Sequence, residues 1–453
     1  MPTEINKINY YIKRPTKAAP LAVFRVLFGL IMFISTVRFW YNGWIEKIYI
    51  DPKFHFHYLG FEFIEVPGQF TYVLFALIAA LSLMIVVGYK HRWSMSLFFI
   101  AFTYVELMDK TSYLNHYYFV SVVSFLMIWL PMTCTFSLDA YYRRTEANYV
   151  PWWTIGSIQC LIGMVYVYAG LAKLNYDWLY KAMPLTLWLP AKQDIPILSA
   201  LFQHKWVHFA FSWSGAAYDL LIVFFLMWSV TRIWAFLVVL LFHVLTAILF
   251  PIGMFPYLMI LAVLIFFSGD FHERFIKIMR DILSRFKIGH KDRYTEPSAL
   301  SIHRSYRYVA VGILMVQLLV PLRGLAYPGN IFWTEQGYRF SWRVMLMEKT
   351  GYANFKVVDG ETGKFFYVQN EDFLTAFQQK EMSTQADFII EYAHILRDHF
   401  ANQGHQNIEI YVESYASLNG RPSQPFIDPT IDLTKVQNSL RHRTFVIPLR
   451  DEK

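Results

Sequence analysis

Charged residues are scarce in this chain of 453 residues, and their scarcity excludes an ordinary soluble domain. They make up 16% of the sequence, whereas hydrophobic residues make up 56% and aromatic residues 19%. Soluble globular domains contain roughly 25% charged residues and roughly 45–50% apolar residues. A composition this apolar is typical of a polytopic membrane protein.

Cysteine is rarer still. Cys134 and Cys160 are the only two, and both fall within or at the end of predicted apolar spans. Neither has metal-ligand spacing around it, so we predict neither a disulfide framework nor a metal site. The formal net charge of +8 does not indicate a nucleic-acid partner, because the basic residues gather in short loops between apolar runs.

Long apolar runs predict the helices that cross the membrane. Windows of about 20 apolar residues, the length that spans a bilayer, lie near residues 20–40, 69–89, 93–108, 117–134, 152–172, 210–229, 232–250, 254–268 and 307–326. The first is predicted to be retained, because it lacks the small-residue cleavage site of a signal peptide. We therefore predict a cytoplasmic arm at 1–19 and an all-α transmembrane bundle of about nine helices at 20–326.

The basic loops predict the orientation. With nine spans, the Lys- and Arg-rich loops all fall on one side, which identifies that side as cytoplasmic. The N-terminus is then inside and the C-terminus outside. Arg274 to Phe286 reads as a basic amphipathic helix on the inner surface. The absence of an added targeting sequence and of disulfide chemistry favours a bacterial inner membrane, with the site facing the periplasm.

From residue 327 onward the composition becomes that of a soluble domain. The alternating runs NFKVVD, KFFYVQ, IEIYVESYASL and TFVIPL predict strands, and Glu371 to Gln403 is long and polar enough for two helices. We predict an extracytoplasmic α+β or β-rich domain at 327–453, seated on the outer face of the bundle.

Lys173 ends the apolar run at 152–172, in the stretch YVYAGLAKLNYDW (166–178). A charge at the edge of the hydrocarbon layer is costly unless it is paired, hydrated or used. One interpretation is an anchoring lysine whose head reaches water. The other is a base, because apolar surroundings favour the neutral form of an amine.

A second polar stretch, MDKTSYLNH (108–116), lies between two apolar runs. One interpretation is a hairpin tip capped by Thr111 or Ser112, with Asp109 and Lys110 exposed. That interpretation explains less about the end of the stretch, where polar residues enter the next span. His243 and Asp219 lie inside other spans, where hydrogen bonding between helices is the default role.

Five motifs in order resemble the vitamin K-dependent gamma-glutamyl carboxylase family and its HTTM domain. They are DKTSYLNH (109–116), YAGLAKLNYDW (168–178), FHVLTAILFPIGMF (242–255), FWTEQGYRFSWRVML (332–346) and LNGRPSQPFIDPTIDL (418–433). The resemblance runs from about residue 20 to 447, and all five motifs fall on the predicted outer side.

The resemblance implies roles for individual residues. Lys173 would deprotonate vitamin K hydroquinone, and His116 would assist carbanion formation at the substrate glutamate. The resemblance implies that the cofactor site contains Lys173, Asn115 and His243. It implies that the glutamate-binding segment contains Trp333, Tyr338 and Trp342.

The implied activity is that of a carbon–carbon lyase, a peptidyl-glutamate 4-carboxylase. It would couple oxygen-dependent epoxidation of the hydroquinone to carboxylation of protein glutamate, with O2 and CO2 as co-substrates and no metal. The partners would be a glutamate-containing peptide, membrane lipid and quinone from the bilayer. Ala172 stands where animal carboxylases have a second lysine. Two alternatives remain open, a quinol epoxidase with another or no carboxylation substrate, and a non-catalytic quinone- or lipid-binding protein.

Overall fold

The computed structural model describes residues 10–143, 146–196, 198–285 and 302–450. Helices dominate the first three quarters of the chain. In order they are Ala19–Tyr41 (α1), Phe70–Val87 (α2), His91–Met108 (α3), Asn115–Ile128 (α4), Leu138–Arg143 (α5), Trp152–Lys173 (α6), Tyr176–Lys181 (α7), Leu185–Trp188 (α8), Leu198–Leu201 (α9), Lys205–Met227 (α10), Arg232–Leu249 (α11), Phe255–Ala262 (α12), Gly269–Arg285 (α13) and Arg304–Leu319 (α14). A short sheet pairs Pro15–Lys17 (β1) with Tyr149–Pro151 (β2).

Six helices among the described residues are long and apolar enough to cross a membrane. They are α1, α2, α6, α10, α11 and α14 with its extension to Ala326. A seventh span results if the bent pair Phe255–Phe266 and α13 is counted as one. The chain is therefore an integral membrane protein, as its composition predicts.

All nine predicted apolar segments contain helix, but the count of nine spans stays a prediction. Helix α4 has 14 residues, or about 21 Å at 1.5 Å per residue, which is short of the roughly 30 Å hydrocarbon layer. Helix α3 begins with the polar sequence HRWS and is not among the six. Helices α3 and α4 both contribute to the same buried apolar core as α1 and α2.

Helix α13 confirms the predicted helix at 274–286 up to Arg285, while Phe286 lies outside the described residues. It turns by 116° from the preceding helical segment. Ile276 packs against the first turns of α1, and Lys17 Nζ lies 2.5 Å from Asp270 and 2.7 Å from Glu273. Its position on the inner membrane surface stays a prediction.

Arg25, in the second turn of the apolar helix α1, is fully buried. Its guanidinium donates hydrogen bonds to the carbonyl oxygens of Ile85, Val86, Met132 and Phe136. Buried cations in a membrane protein require such partners. The four bonds tie α1 to the end of α2 and to the loop after α4.

The C-terminal part contains a four-stranded antiparallel sheet and two helices. Lys349–Val358 (β3), Phe365–Tyr367 (β4), Glu409–Leu418 (β5) and Gln424–Pro425 (β6) are arranged in the order β4-β3-β5-β6. The helices of this part are Ile331–Thr334 (α15), Ala376–Met382 (α16) and Ala386–Asn402 (α17). Strands β3 and β5 pair over ten residues, with Lys349 opposite Leu418 and Val358 opposite Glu409.

Most of the predicted elements of this part are confirmed. The first three alternating runs form β3, β4 and β5, and the two helices expected within 371–403 are α16 and α17. The strand predicted at TFVIPL is wrong, because the segment forms only an isolated bridge between Val446 and Ile427. Two prolines limit pairing here, since Pro448 within the run and Pro425 in the neighbouring strand β6 have no backbone N–H to donate.

The stretch 108–116 is an interface between the bundle and the helices of the C-terminal part. The interpretation that leaves Asp109 and Lys110 exposed is wrong, since their exposed fractions are 1% and 2%. Lys110 Nζ lies 2.6 Å from Glu391 and 3.3 Å from Asp387, both in α17. Asp109, and not a hydroxyl, caps the following turn by accepting from the Thr111 N–H. The polar side chains are buried because the other domain supplies their partners.

A second charged contact joins the two parts just beyond Lys173. Asp177 accepts two hydrogen bonds from the guanidinium of Arg421, at 2.7 and 2.8 Å, and one from Asn419 at 2.8 Å. Burial alone would raise the pKa of Asp177, but the hydrogen bonds from Arg421 and Asn419 lower it below its ordinary value. The contact links two motifs that lie more than 240 residues apart in sequence.

Candidate active site

An apolar cavity of about 100 Å³ lies between helices α6, α10, α11 and α12. Its walls include the aromatic rings of Trp178, Trp188, Phe242 and Phe255. Its ionisable lining groups are the side chains of Lys173, Asp219, His243 and Tyr166. Val344 and Met345 also line it, so the segment before the C-terminal sheet contributes to the site.

Lys173 and Asp219 form a buried pair at the edge of this cavity. Lys173 Nζ lies 2.6 Å from Asp219 Oδ2, and the two side chains are 7% and 8% exposed. The amine also lies 3.4 Å from the Ala169 carbonyl and 5.3 Å from the Trp178 ring centroid. The interpretation of Lys173 as an anchor whose head reaches water is therefore wrong.

Gly170 brings the two helices close enough for this pair. A Cβ at position 170 would lie 2.7 Å from the backbone nitrogen of Leu220, the residue after Asp219. Only glycine allows such an approach, because any side chain would overlap the facing backbone. The close contact fixes the last turn of α6 against the middle of α10.

The sequence reasoning did not identify Asp219 as the partner of Lys173. The signal was present, because Asp219 is the one acidic residue of α10 and Lys173 the one basic residue of α6. Two opposite charges inside adjacent membrane helices are most stable when they pair. The adjacency of α6 and α10 was the missing information.

His243 lines the same cavity and belongs to a chain of polar groups. Its Nε2 lies 2.9 Å from the Tyr166 hydroxyl, which lies 3.5 Å from the hydroxyl of Tyr218. The Nδ1 atom of His243 is buried and has no hydrogen-bond partner within the described part of the chain. A neutral imidazole with one nitrogen engaged can donate or accept at the other, so this atom suits a polar group of a bound molecule.

His116 is not a lining residue of the cavity. Its ring lies 5.7 Å from the Phe255 ring, and Phe255 lies 6.0 Å from His243. Phe255 therefore packs near both histidines. The structure brings Lys173 and His243 together at the cavity, whereas His116 packs near Phe255, one of the lining residues.

Asn115 connects the bundle to the segment that follows Trp342. Its amide nitrogen donates to the Arg343 carbonyl at 2.8 Å, and its oxygen accepts from the Tyr113 hydroxyl at 3.0 Å. It does not line the cavity. Direct contact of Asn115 with the quinone or the glutamate stays a prediction.

The predicted glutamate-binding residues lie along a segment between the two parts of the molecule. Trp333 is fully buried and donates to the Ile447 carbonyl at 2.7 Å. Trp342 is fully buried in the bundle core, with its ring 5.0 Å from that of Tyr118. Tyr338 packs against Phe332 at 6.2 Å. None of the three lines the cavity, but the segment reaches it two residues after Trp342.

Within the described ranges, no group of three or more His, Cys, Asp or Glu side chains is arranged to hold a metal ion. Both cysteines are free thiols.

Two family models match the chain. Residues 13–271 match the HTTM domain, so the helical part belongs to that class of membrane domain. Residues 303–452 match the lumenal domain of vitamin K-dependent gamma-carboxylase. The chain belongs to the vitamin K-dependent gamma-carboxylase family. No solved structure matches the chain.

Proposed function

We propose that this protein is a peptidyl-glutamate carboxylase that uses vitamin K hydroquinone, O2 and CO2. The observation that carries the proposal is the buried pair of Lys173 and Asp219 on an apolar cavity, in a chain that carries both family domains. Bound vitamin K hydroquinone would supply, through its oxidation, the base that removes the glutamate γ-proton.

The cavity residues fit the head group of such a molecule. Aromatic walls suit a flat apolar ring system. The polar lining residues include the Lys173–Asp219 pair and His243, whose Nδ1 has no partner among the described residues. Sites for small apolar ligands commonly combine such walls with a few polar groups. We assign Lys173 and Asp219 to one hydroxyl and His243 to the other polar end.

The net charge of the Lys173–Asp219 pair explains how the pair can act as a base in a cavity that excludes water. An amine and a carboxylate that share one proton are neutral together, whichever atom holds it. When the pair takes a proton from a bound hydroxyl, it becomes positive and faces the negative oxygen that remains. The cavity as a whole stays neutral, which avoids the cost of an isolated buried charge.

The glutamate would approach from the side of the C-terminal sheet. The segment 333–345 joins that sheet to the cavity wall, and His116 lies beside the same wall. We propose that this side is extracytoplasmic, that the N-terminus is cytoplasmic, and that the bundle crosses a bacterial inner membrane nine times. Quinone would enter the cavity from the bilayer.

One observation favours a second candidate, a quinol epoxidase that does not carboxylate. His116 is not among the residues that line the cavity of Lys173, so chemistry at Lys173 does not require the histidine assigned to the glutamate. Such an enzyme would consume hydroquinone without fixing carbon dioxide.

Labelled bicarbonate separates these functions. Purified protein, vitamin K hydroquinone, oxygen and a glutamate peptide are incubated together, and label in the peptide and epoxide are measured in the same tubes. We expect both products from the wild type and neither from Lys173→Ala, while Lys17→Ala, which removes a lysine of an exposed ion pair, retains both. Epoxide without label supports the epoxidase, and absence of both products from the wild type refutes both functions.

A further inference from the structure

The guanidinium of Arg38 lies near the wall of the candidate site and makes a ring contact but no hydrogen bond or ion pair within the described residues. It lies in the last turn of α1 and is half-buried, with its guanidinium carbon 5.1 Å from the ring centroid of Trp44. Within the described ranges no hydrogen bond or ion pair joins its side chain. Arg25, in the same helix, contrasts with it by donating to four carbonyl groups.

The guanidinium of Arg38 and the imidazole of His116 face the same turn. A Cβ at Gly253 would lie 3.6 Å from Arg38 Nη2 and 4.0 Å from His116 Nε2. His116 is 6% exposed and, among the described residues, has ring neighbours but no hydrogen-bond partner. The half-buried guanidinium of Arg38 and the buried imidazole of His116, neither with a hydrogen-bond acceptor among the described residues, therefore lie close together beside Gly253.

This place adjoins the cavity. The turn that holds Gly253 runs from Phe250 to Phe255, and Phe250, Ile252 and Phe255 line the cavity of Lys173. The backbone of Gly253 has a φ of 63°, which glycine adopts without strain. A larger residue here would extend into the space beside both nitrogens.

We propose that Arg38 binds the γ-carboxylate of the substrate glutamate, beside His116. The inference rests on the proposed carboxylase function and assigns a residue that the family motifs above do not include. A guanidinium matches a carboxylate in plane and charge, with two parallel hydrogen bonds.

Arg38 would also stabilise negative charge that develops during the reaction. The γ-proton would pass to the base that oxidation of the hydroquinone supplies. This breaks a C–H bond next to a carboxylate that is already negative, and the electron pair spreads onto the carboxylate oxygens. A second negative charge therefore develops at that group until the carbon forms its new bond to the carbon atom of CO2. A fixed cation at those oxygens stabilises the charge as it develops.

The competing explanation is a membrane-edge arginine that packs on Trp44 and serves only stability. The variants Arg38→Gln and Arg38→Lys distinguish the two. Arg92→Gln is the matched control, because Arg92 also packs on an aromatic ring, 4.7 Å from Tyr306, in a helix end away from the site.

Full-length variants are assayed for label incorporation at varied peptide concentration, for epoxide, and for binding of matched Glu and Gln peptides. For Arg38→Gln we expect kcat/KM for the peptide to fall about 100-fold, the preference for the Glu peptide to disappear and epoxide formation to continue. Arg38→Lys should recover part of the loss, because lysine keeps the positive charge but cannot form the two parallel hydrogen bonds of a guanidinium. Arg92→Gln should resemble the wild type.

Wild-type kcat/KM in Arg38→Gln would overturn the proposal, and so would a proportional loss of label, epoxide and thermal stability. If the wild type forms no labelled product, the proposed function fails on its own. The binding comparison still decides the role of Arg38 in that case, because an unchanged preference for the Glu peptide in Arg38→Gln excludes it.

Discussion

The proposed base of the candidate site is a pair of residues and not one amine. Lys173 and Asp219 are both buried and lie 2.6 Å apart. Breaking a buried pair leaves one uncompensated charge, so neither residue can be replaced without affecting the other. An interpretation in which Lys173 acts alone leaves the buried carboxylate of Asp219 beside it without a role.

Asp219→Asn tests the shared role of the pair. The amide keeps the shape of the side chain but cannot take a proton, so hydroquinone-dependent epoxide formation should fall at least roughly 100-fold, the usual worth of general base catalysis. The rate of epoxide formation by purified protein measures this. Asp270→Asn is the matched control, because Asp270 also pairs with a lysine at 2.5 Å but is exposed. A wild-type rate in Asp219→Asn would exclude the pair as the base.

At the scale of elements, the close approach of α6 and α10 places this pair. Lys173 is the last residue of α6, so a small displacement of that helix would separate its amine from Asp219. Gly170 permits the approach one turn earlier. The geometry of the site therefore depends on a residue that takes no part in its chemistry.

Gly170→Ala should force the two helices apart. The new methyl group would overlap the Leu220 backbone nitrogen at 2.7 Å, and overpacking of this kind costs about 1–3 kcal/mol. We expect a lower thermal unfolding midpoint in detergent and a reduced epoxide rate. Gly312→Ala serves as the control, since a Cβ at 312 meets no atom within 4 Å. Equal midpoints for the two variants would show that the approach of α6 and α10 tolerates a side chain.

At the scale of the whole molecule, two buried charged contacts hold the C-terminal sheet on the bundle. One joins Lys110 to α17 and the other joins Asp177 to Arg421. Burial alone would raise the pKa of Asp387, but the charges of Arg339, Lys110 and Arg443 hold that pKa well below its ordinary value. The pKa of Glu391 is also lowered, because Lys110 and His57 outweigh the effect of burial.

These lowered pKa values predict that the contacts between the C-terminal part and the bundle become less stable in acid. A carboxylate whose pKa is lower in the folded state stabilises that state fully above its unfolded-state pKa, and the contribution is lost as pH falls through the folded-state pKa. For Asp177 the ordinary value is 3.8, so the loss occurs below about pH 4.

Asp177→Asn tests this prediction. We expect the variant to be less stable than the wild type at pH 7, by roughly 1–3 kcal/mol for lost hydrogen bonds to a charged group, and the difference to shrink as pH approaches 3. Denaturant unfolding at pH 7, 5 and 3 measures both effects. A difference that is constant with pH would contradict the lowered pKa of Asp177.

The sequence by itself determined the class of the protein and most of its elements. Apolar runs of bilayer length and the alternation of side chains in β3 and β5 are local properties, so composition and period were sufficient to predict them. The motifs around Lys173 and His243 likewise indicated two residues that the structure brings to one cavity. The prediction of a strand at TFVIPL was wrong, because strand pairing depends on the neighbouring segment and prolines limit the pairing here.

Only the tertiary structure decided which polar groups meet. Lys173 and Asp219 are 46 residues apart, and Lys110 and Glu391 are 281 apart. It also decided that His243 lines the cavity of Lys173 whereas His116 does not. Hydropathy shows that a buried charge needs a partner, but helix adjacency and the docking of a distant domain determine which partner it has. These are long-range contacts that no local pattern contains.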